Sequence, residues 1–122
     1  MTEEIEVEVR SADNATIIGL AGDLTTFADE AVTSAYEAAT DQGAKNIIFS
    51  FRQSDYINSA GIAILIGVVT EARRRNQSIL MAGLSQHFQK IFRMVGLAQY
   101  AGIYQTLDDA LAYLISDATA DG

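Results

Sequence analysis

The residues with the clearest chemical potential in this sequence form one short stretch, Tyr56-Ile57-Asn58-Ser59-Ala60-Gly61-Ile62. It joins a strand-like run to an apolar segment that reads as a helix, on the carboxyl side of a sheet, where open α/β sheets place their sites. The Ser59 hydroxyl is therefore expected at a helix N-terminus. A phosphate added there would meet unpaired backbone N–H groups and the positive end of the helix dipole, so the fold could persist while the surface charge changes. At helical spacing beyond Ser59, the small residues Ala60, Ala63 and Gly67 share an arc with Glu71 and Arg74, and Ile64 lies at its border. A flat apolar platform beside a group that can gain charge suits a reversible protein interface. A plainer account also fits: Asn58 or Ser59 is only an N-cap and the small residues are incidental. Geometry alone leaves the two open.

Other chemistries fare worse. With no cysteine and a single histidine, disulfides, thiolate metal sites, thiol–His pairs and His-clustered metal sites are excluded within one chain. His87 sits in Ser85-Gln86-His87-Phe88 with no motif around it and reads as a helix-start surface residue. No Gly-rich phosphate loop is present, and no cofactor is expected. The acid pairs Glu3-Glu4, Asp29-Glu30 and Asp108-Asp109 fall on the N-terminus or near helix starts, where acids complement the dipole. Arg73, Arg74 and Arg75 suit a helix C-terminus for the same reason. No histidine or lysine is evident beside Ser59 to activate it as a nucleophile, so the chain is not expected to be an enzyme.

The formal net charge of -8 repels phosphate backbones and anionic lipid surfaces, so neither nucleic acid nor a membrane is an expected partner. The longest apolar run, Gly61 to Val69, falls far short of the roughly twenty residues that span a bilayer. Met1 to Glu8 carries acids where a signal peptide needs basic residues, which makes the cytoplasm the expected location.

Hydrophobic periodicity supplies the elements that must hold Ser59. Ile5, Val7 and Val9 alternate with charged residues, Ser11 to Asn14 favours a turn, and Thr16 to Ala21 completes a β-hairpin. From Thr25 or Thr26 a helix is expected with Phe27, Ala31, Val32, Ala35 and Ala39 on its apolar stripe and Gly43 at its end. Asn46 to Phe51 reads as a central strand buried on both faces. The helix after Ser59 should press Ile62, Leu65, Ile66, Val69 and Ala72 onto the sheet. A strand at Ser78 to Ala82 follows, then a helix at Ser85 to Val95 with Phe88, Ile91, Phe92 and Val95 on one face. A short edge strand near Ile103-Tyr104 leads into a last helix with Ala110, Leu111, Leu114 and Ile115 as its stripe. The 122 residues suit one domain, with 119–122 as a loose tail. Helix-linked strands imply an α/β fold with a mostly parallel sheet and right-handed crossovers.

These motifs resemble the STAS domain of bacterial anti-sigma factor antagonists along nearly the whole chain. Gly22-Asp23-Leu24-Thr25 is similar to the family's Gly-Glu-Leu-Asp before the first helix, and Asn58-Ser59-Ala60-Gly61-Ile62 to its Asp-Ser-Ser/Thr-Gly-Leu. Phe88 to Leu97 resembles its helix ending in a Gly-Leu pair. The resemblance implies a mixed sheet of about four to five strands opened by a β-hairpin, with about four α-helices. It implies that Ser59 is phosphorylated by an anti-sigma factor that is itself a serine kinase, and that a phosphatase resets it. Only the unmodified form then binds that kinase and releases the sigma factor. Thr25, Asn58, Ser59, Ala60, Gly61, Ala63, Ile64 and Gly67 are the expected partner-binding residues, and the chain is expected to be a monomer or weak dimer. Thr25, Asn58 and Ala60 depart from the family's two acids and second hydroxyl, which leaves a constitutive interaction module or a scaffold as the alternative.

Overall fold

A computed structural model describes residues 5–12, 14–53 and 55–120. The strands are β1 (Glu6–Ala12), β2 (Ala15–Ala21), β3 (Asn46–Ser50), β4 (Ser78–Ala82) and β5 (Ala101–Tyr104). The helices are α1 (Asp29–Asp41), α2 (Ser59–Arg74), α3 (Gln86–Met94) and α4 (Leu107–Ala120). Short 3-10 turns at Thr26–Ala28 and Leu97–Gln99 precede α1 and β5. The strands lie in the order β1-β2-β3-β4-β5, with β1 antiparallel to β2 and every other pair parallel. This is the expected mixed α/β sheet opened by a hairpin.

Strand alternation sorts the core into two layers. Ile18, Leu20, Ile47, Phe49, Ile79 and Met81 face the side covered by α1, α2 and α3. Ile17, Ile48, Leu80 and Ala82 face the other side, under Ala110 and Leu114 of α4. Ile47, Ile48 and Phe49 are thus all buried, which is why β3 reads as an unbroken apolar run. Side-chain caps start α3 and α4: Ser85 accepts from the Phe88 N–H at 3.2 Å and Thr106 from the Asp109 N–H at 3.0 Å.

Several expectations are corrected. Ser11 and Ala12 belong to β1, so the strands run further into the expected turn; Asp13 lies outside the described residues. The segment at Thr26 opens as a 3-10 turn, and α1 begins only at Asp29. The tighter turn shifts the wheel, leaving Phe27 90% exposed while Ala28 is buried, and Tyr36 joins Val32, Ala35 and Ala39 in the stripe. On α2 the buried arc is Gly61, Leu65, Val68, Val69 and Ala72, and Ile66 is 41% exposed. The close approach of Gly61 to the sheet-side backbone, described below, rotates the helix that way. Val95 is exposed because it is the C-cap of α3 and not part of its stripe. Ile115 is half exposed, since among the described residues α4 packs chiefly on β3, β4 and β5 and Ala110 and Leu114 take that face. Helix α4 continues through Ala120, into the stretch expected as a tail; residues 121–122 lie outside the described residues, as does Glu3-Glu4.

Candidate functional site

Two loops at the carboxyl ends of β2 and β3 are fastened together, and α2 starts from the joint. Leu24 and Ile57 form an isolated parallel bridge, in which the Leu24 N–H donates to the Tyr56 carbonyl at 2.8 Å and the Asn58 N–H donates to the Leu24 carbonyl at 3.1 Å. Two carboxylates add reciprocal ties across the same gap. The Gly22 N–H donates to Asp55 Oδ2 at 2.9 Å, and the Tyr56 N–H donates to Asp23 Oδ1 at 3.0 Å. The Arg52 guanidinium hydrogen-bonded to Asp55 holds that carboxyl below the usual carboxylate range, against its partial burial, with the Gly22 N–H assisting. A Cβ at Gly61 would run into the Leu24 carbonyl oxygen, so only glycine lets the first turn of α2 sit this close.

That joint sets the geometry around Ser59. Asn58 is the N-cap, its side chain accepting from the Gly61 N–H at 2.9 Å, and the Ile62 N–H donates to the Asn58 carbonyl at 3.0 Å. The N–H groups of Ser59 and Ala60 carry no hydrogen bond among the described residues, as expected for the first two positions of a helix. Ser59 is exposed, and no side chain among the described residues hydrogen-bonds its hydroxyl. Thr25 lies one residue past the Leu24–Ile57 bridge, where its hydroxyl accepts from the Phe27 N–H at 3.3 Å and caps the 3-10 turn.

The platform expected along α2 is one wall of a groove. Ala60, Ala63, Ile64 and Gly67 line an open cleft of about 450 Å³ between α1 and α2. Thr26, Asp29, Thr33 and Glu37 line it from the α1 side. The cleft exists because both helices pack on the sheet while Ala60, Ala63 and Gly67 on α2 have little or no side chain to fill the space between them. Thr33 Oγ1 donates to Asp29 Oδ1 at 3.0 Å on one wall. The far end is bridged by Arg75, whose Nη1 meets Glu37 Oε1 at 2.9 Å and whose Nε meets Glu71 Oε2 at 2.9 Å. Below that bridge the Tyr36 hydroxyl donates to Gln77 Oε1 at 2.6 Å, and burial pushes its phenol up. The near end opens beside Ser59, at Ala60.

Of the expected site residues, Ala60, Ala63, Ile64 and Gly67 are brought together as this wall, and Asn58 and Ser59 directly precede it. Gly61 faces inward and Thr25 is outside the groove lining. The α1 wall is not legible in the sequence: Asp29, Thr33 and Glu37 recur at every fourth residue and so share a helix face, but that spacing does not say which helix they face. Asp55 was also missed. Among the described residues no group of side chains could hold a metal ion, and no helix is long and apolar enough to cross a membrane.

A hairpin-opened sheet carrying a helix that starts at a fastened double loop defines a known architecture. The STAS domain family model matches residues 6–110, and this chain belongs to that family. It is 24% identical over 98 residues to the anti-sigma-B factor antagonist of Listeria monocytogenes, covering 80% of this chain and 85% of that one. An anti-sigma factor antagonist from Mycobacterium paratuberculosis superposes with a TM-score of 0.77 at 18% identity, over 90% of this chain and 93% of the other. SpoIIAA in its unphosphorylated form gives a TM-score of 0.72 at 20% identity, over 91% and 97%. The phosphorylated form of Bacillus SpoIIAA gives 0.67 at 20% identity, over 89% and 99%. At these identities the structural likeness establishes the fold, in agreement with the five-stranded sheet and four helices.

Proposed function

We propose that this chain is an anti-sigma factor antagonist whose binding is switched at Ser59. Unmodified, it docks an anti-sigma factor with serine kinase activity over Ser59 and the adjoining α2 wall of Ala60, Ala63, Ile64 and Gly67, and the sigma factor is released. The kinase transfers a phosphoryl group from its own nucleotide to the Ser59 hydroxyl, and a phosphatase removes it. In this reading the chain is a substrate and binding partner, not an enzyme, and holds no cofactor of its own.

The observation that carries the reading is an exposed serine hydroxyl at the first position of a fastened helix, at the open end of a groove floored by small residues. A phosphate there adds roughly two negative charges beside free N–H groups, so it is tolerated by the fold. The same charge opposes burial against a partner that offers no cations at that point. Asp29 is already on the neighbouring wall, and a phosphoserine adds repulsion to it. The two solved forms of SpoIIAA, one phosphorylated, support a switch of this type in the same fold.

Incubation with ATP and the anti-sigma kinases of the same genome, followed by intact-mass measurement, tests the reading. One added phosphate on the parent, and none on Ser59→Ala, is the expected result. A partner that binds without modifying the chain would favour the alternative, a constitutive module or scaffold. Asn58 in place of the family's acid, which spends its side chain capping Gly61, is the specific feature on that side.

A further inference from the structure

Among the described residues, no strand pairs with the outer side of β1. β1 is a regular seven-residue strand with no proline, whereas the opposite edge, β5, has four residues and its Ala101 is buried. An exposed edge presents a row of N–H and C=O groups that another strand can pair with. Where two residues join the strands of a hairpin, the pair flanking them is hydrogen-bonded, and bonded and non-bonded pairs alternate from there. Ala12 opposite Ala15 is that flanking pair. Glu6, Glu8, Arg10 and Ala12 therefore turn their backbone groups to β2, and Val7, Val9 and Ser11 turn theirs outward. Val9, midway along the edge, is 38% exposed.

The charges on this edge select its partner. Two copies of β1 pairing antiparallel about a two-fold axis must set odd residues opposite odd residues, because only those face outward. A register centred on Val7 puts Glu6 opposite Glu8 of the second copy, and one centred on Glu8 puts that acid opposite itself. Centring on Arg10 puts two arginines together, and moving on to Ser11 leaves both acids without a cation and shortens the overlap. Only the register centred on Val9 sets Glu8 of each copy against Arg10 of the other with no like pair, while Val9 meets Val9. Directly opposed unlike charges favour strand pairing and like charges oppose it. Arg10 Nε and Glu8 Oε1 are 3.8 Å apart within the strand and both side chains are exposed, so both are available to a second copy.

We infer that this chain forms a two-fold dimer through β1, antiparallel and centred on Val9, with Glu8 and Arg10 paired reciprocally across the axis. The inference stands independently of the role proposed for Ser59. That serine opens α2, which follows β3, and β3 lies two strands inward from β1, so a dimer presents two Ser59 sites.

Sedimentation equilibrium over a concentration series at low salt tests it. The parent is expected to approach twice the 13.1 kDa chain mass and to dissociate as salt rises. Glu8→Arg and Arg10→Glu, each with the parent's circular dichroism, are expected to be monomeric where the parent is dimeric. The double variant Glu8→Arg/Arg10→Glu regains the dimer. Because the chain has no cysteine, Val9→Cys adds a single thiol facing its own symmetry mate and is expected to cross-link on mild oxidation, whereas Ser11→Cys is not. That comparison decides the matter if a charge variant fails to fold. A parent that stays monomeric, a dimer indifferent to single reversals, a folded double variant that stays monomeric, or Ser11→Cys cross-linking as readily as Val9→Cys overturns the inference.

Discussion

At Gly61 a Cβ would strike the Leu24 carbonyl oxygen, whereas at Gly67, under two turns along the same helix, a Cβ would meet nothing within 4 Å. The missing side chain has opposite uses at the two places. At Gly61 it lets the backbone of α2 close on the β2–α1 connection, which positions Ser59. At Gly67 it leaves space between α1 and α2 that no other described residue fills. A rigid joint thus sits beside an unfilled groove, and the helix is a structural element at one end and an unsatisfied surface further along.

The comparison breaks if one substitution has the same effect at both glycines. Gly61→Ala should cost about 2–3 kcal/mol, read as a lower urea midpoint, because a backbone atom must move to admit the methyl. Gly67→Ala should instead stabilise by about 1 kcal/mol in the same experiment, from helix propensity alone. Gly67→Leu should leave the fold intact while blocking the groove, lowering affinity for an anti-sigma partner by about tenfold, or ~1.4 kcal/mol.

A smaller effect sharpens the view of the joint. Asp55→Asn should cost about 1 kcal/mol near neutral pH by weakening the ties to Arg52 and the Gly22 N–H. Asp55 has its folded pKa lowered, so the unfolded chain binds the proton more readily. Its contribution is therefore present above the usual carboxylate pKa and is lost as pH falls through the lowered folded value. The difference in unfolding midpoint between parent and variant should shrink in acid, as thermal melts at several pH values would show.

Much of this was legible in the sequence because it depends on local pattern. The period-two alternation of Val7 and Val9, the unbroken run at β3 and the cap at Asn58 each report their own segment. The helix after Ser59 was also read, but its rotation was not. Ile66 turns outward and Val68 inward because a contact with Leu24, far away in the chain, fixes the helix about its axis. Phe27 escaped the expected stripe because a 3-10 turn does not keep the 3.6-residue period. The α2 wall of the groove could be seen as a row of small residues. The α1 wall could not, since nothing local to Asp29, Thr33 or Glu37 says which helix they will face.

The most direct test is to titrate one anti-sigma factor kinase with the parent, Ser59→Ala and Ser59→Asp, each confirmed as folded by circular dichroism. Ser59→Ala should bind like the parent, because a methyl adds no charge beside the groove. Ser59→Asp should bind at least about tenfold more weakly, or ~1.4 kcal/mol. Equal affinity for all three would contradict a switch at Ser59 and leave the α1–α2 groove as a surface whose occupancy does not depend on that residue's charge.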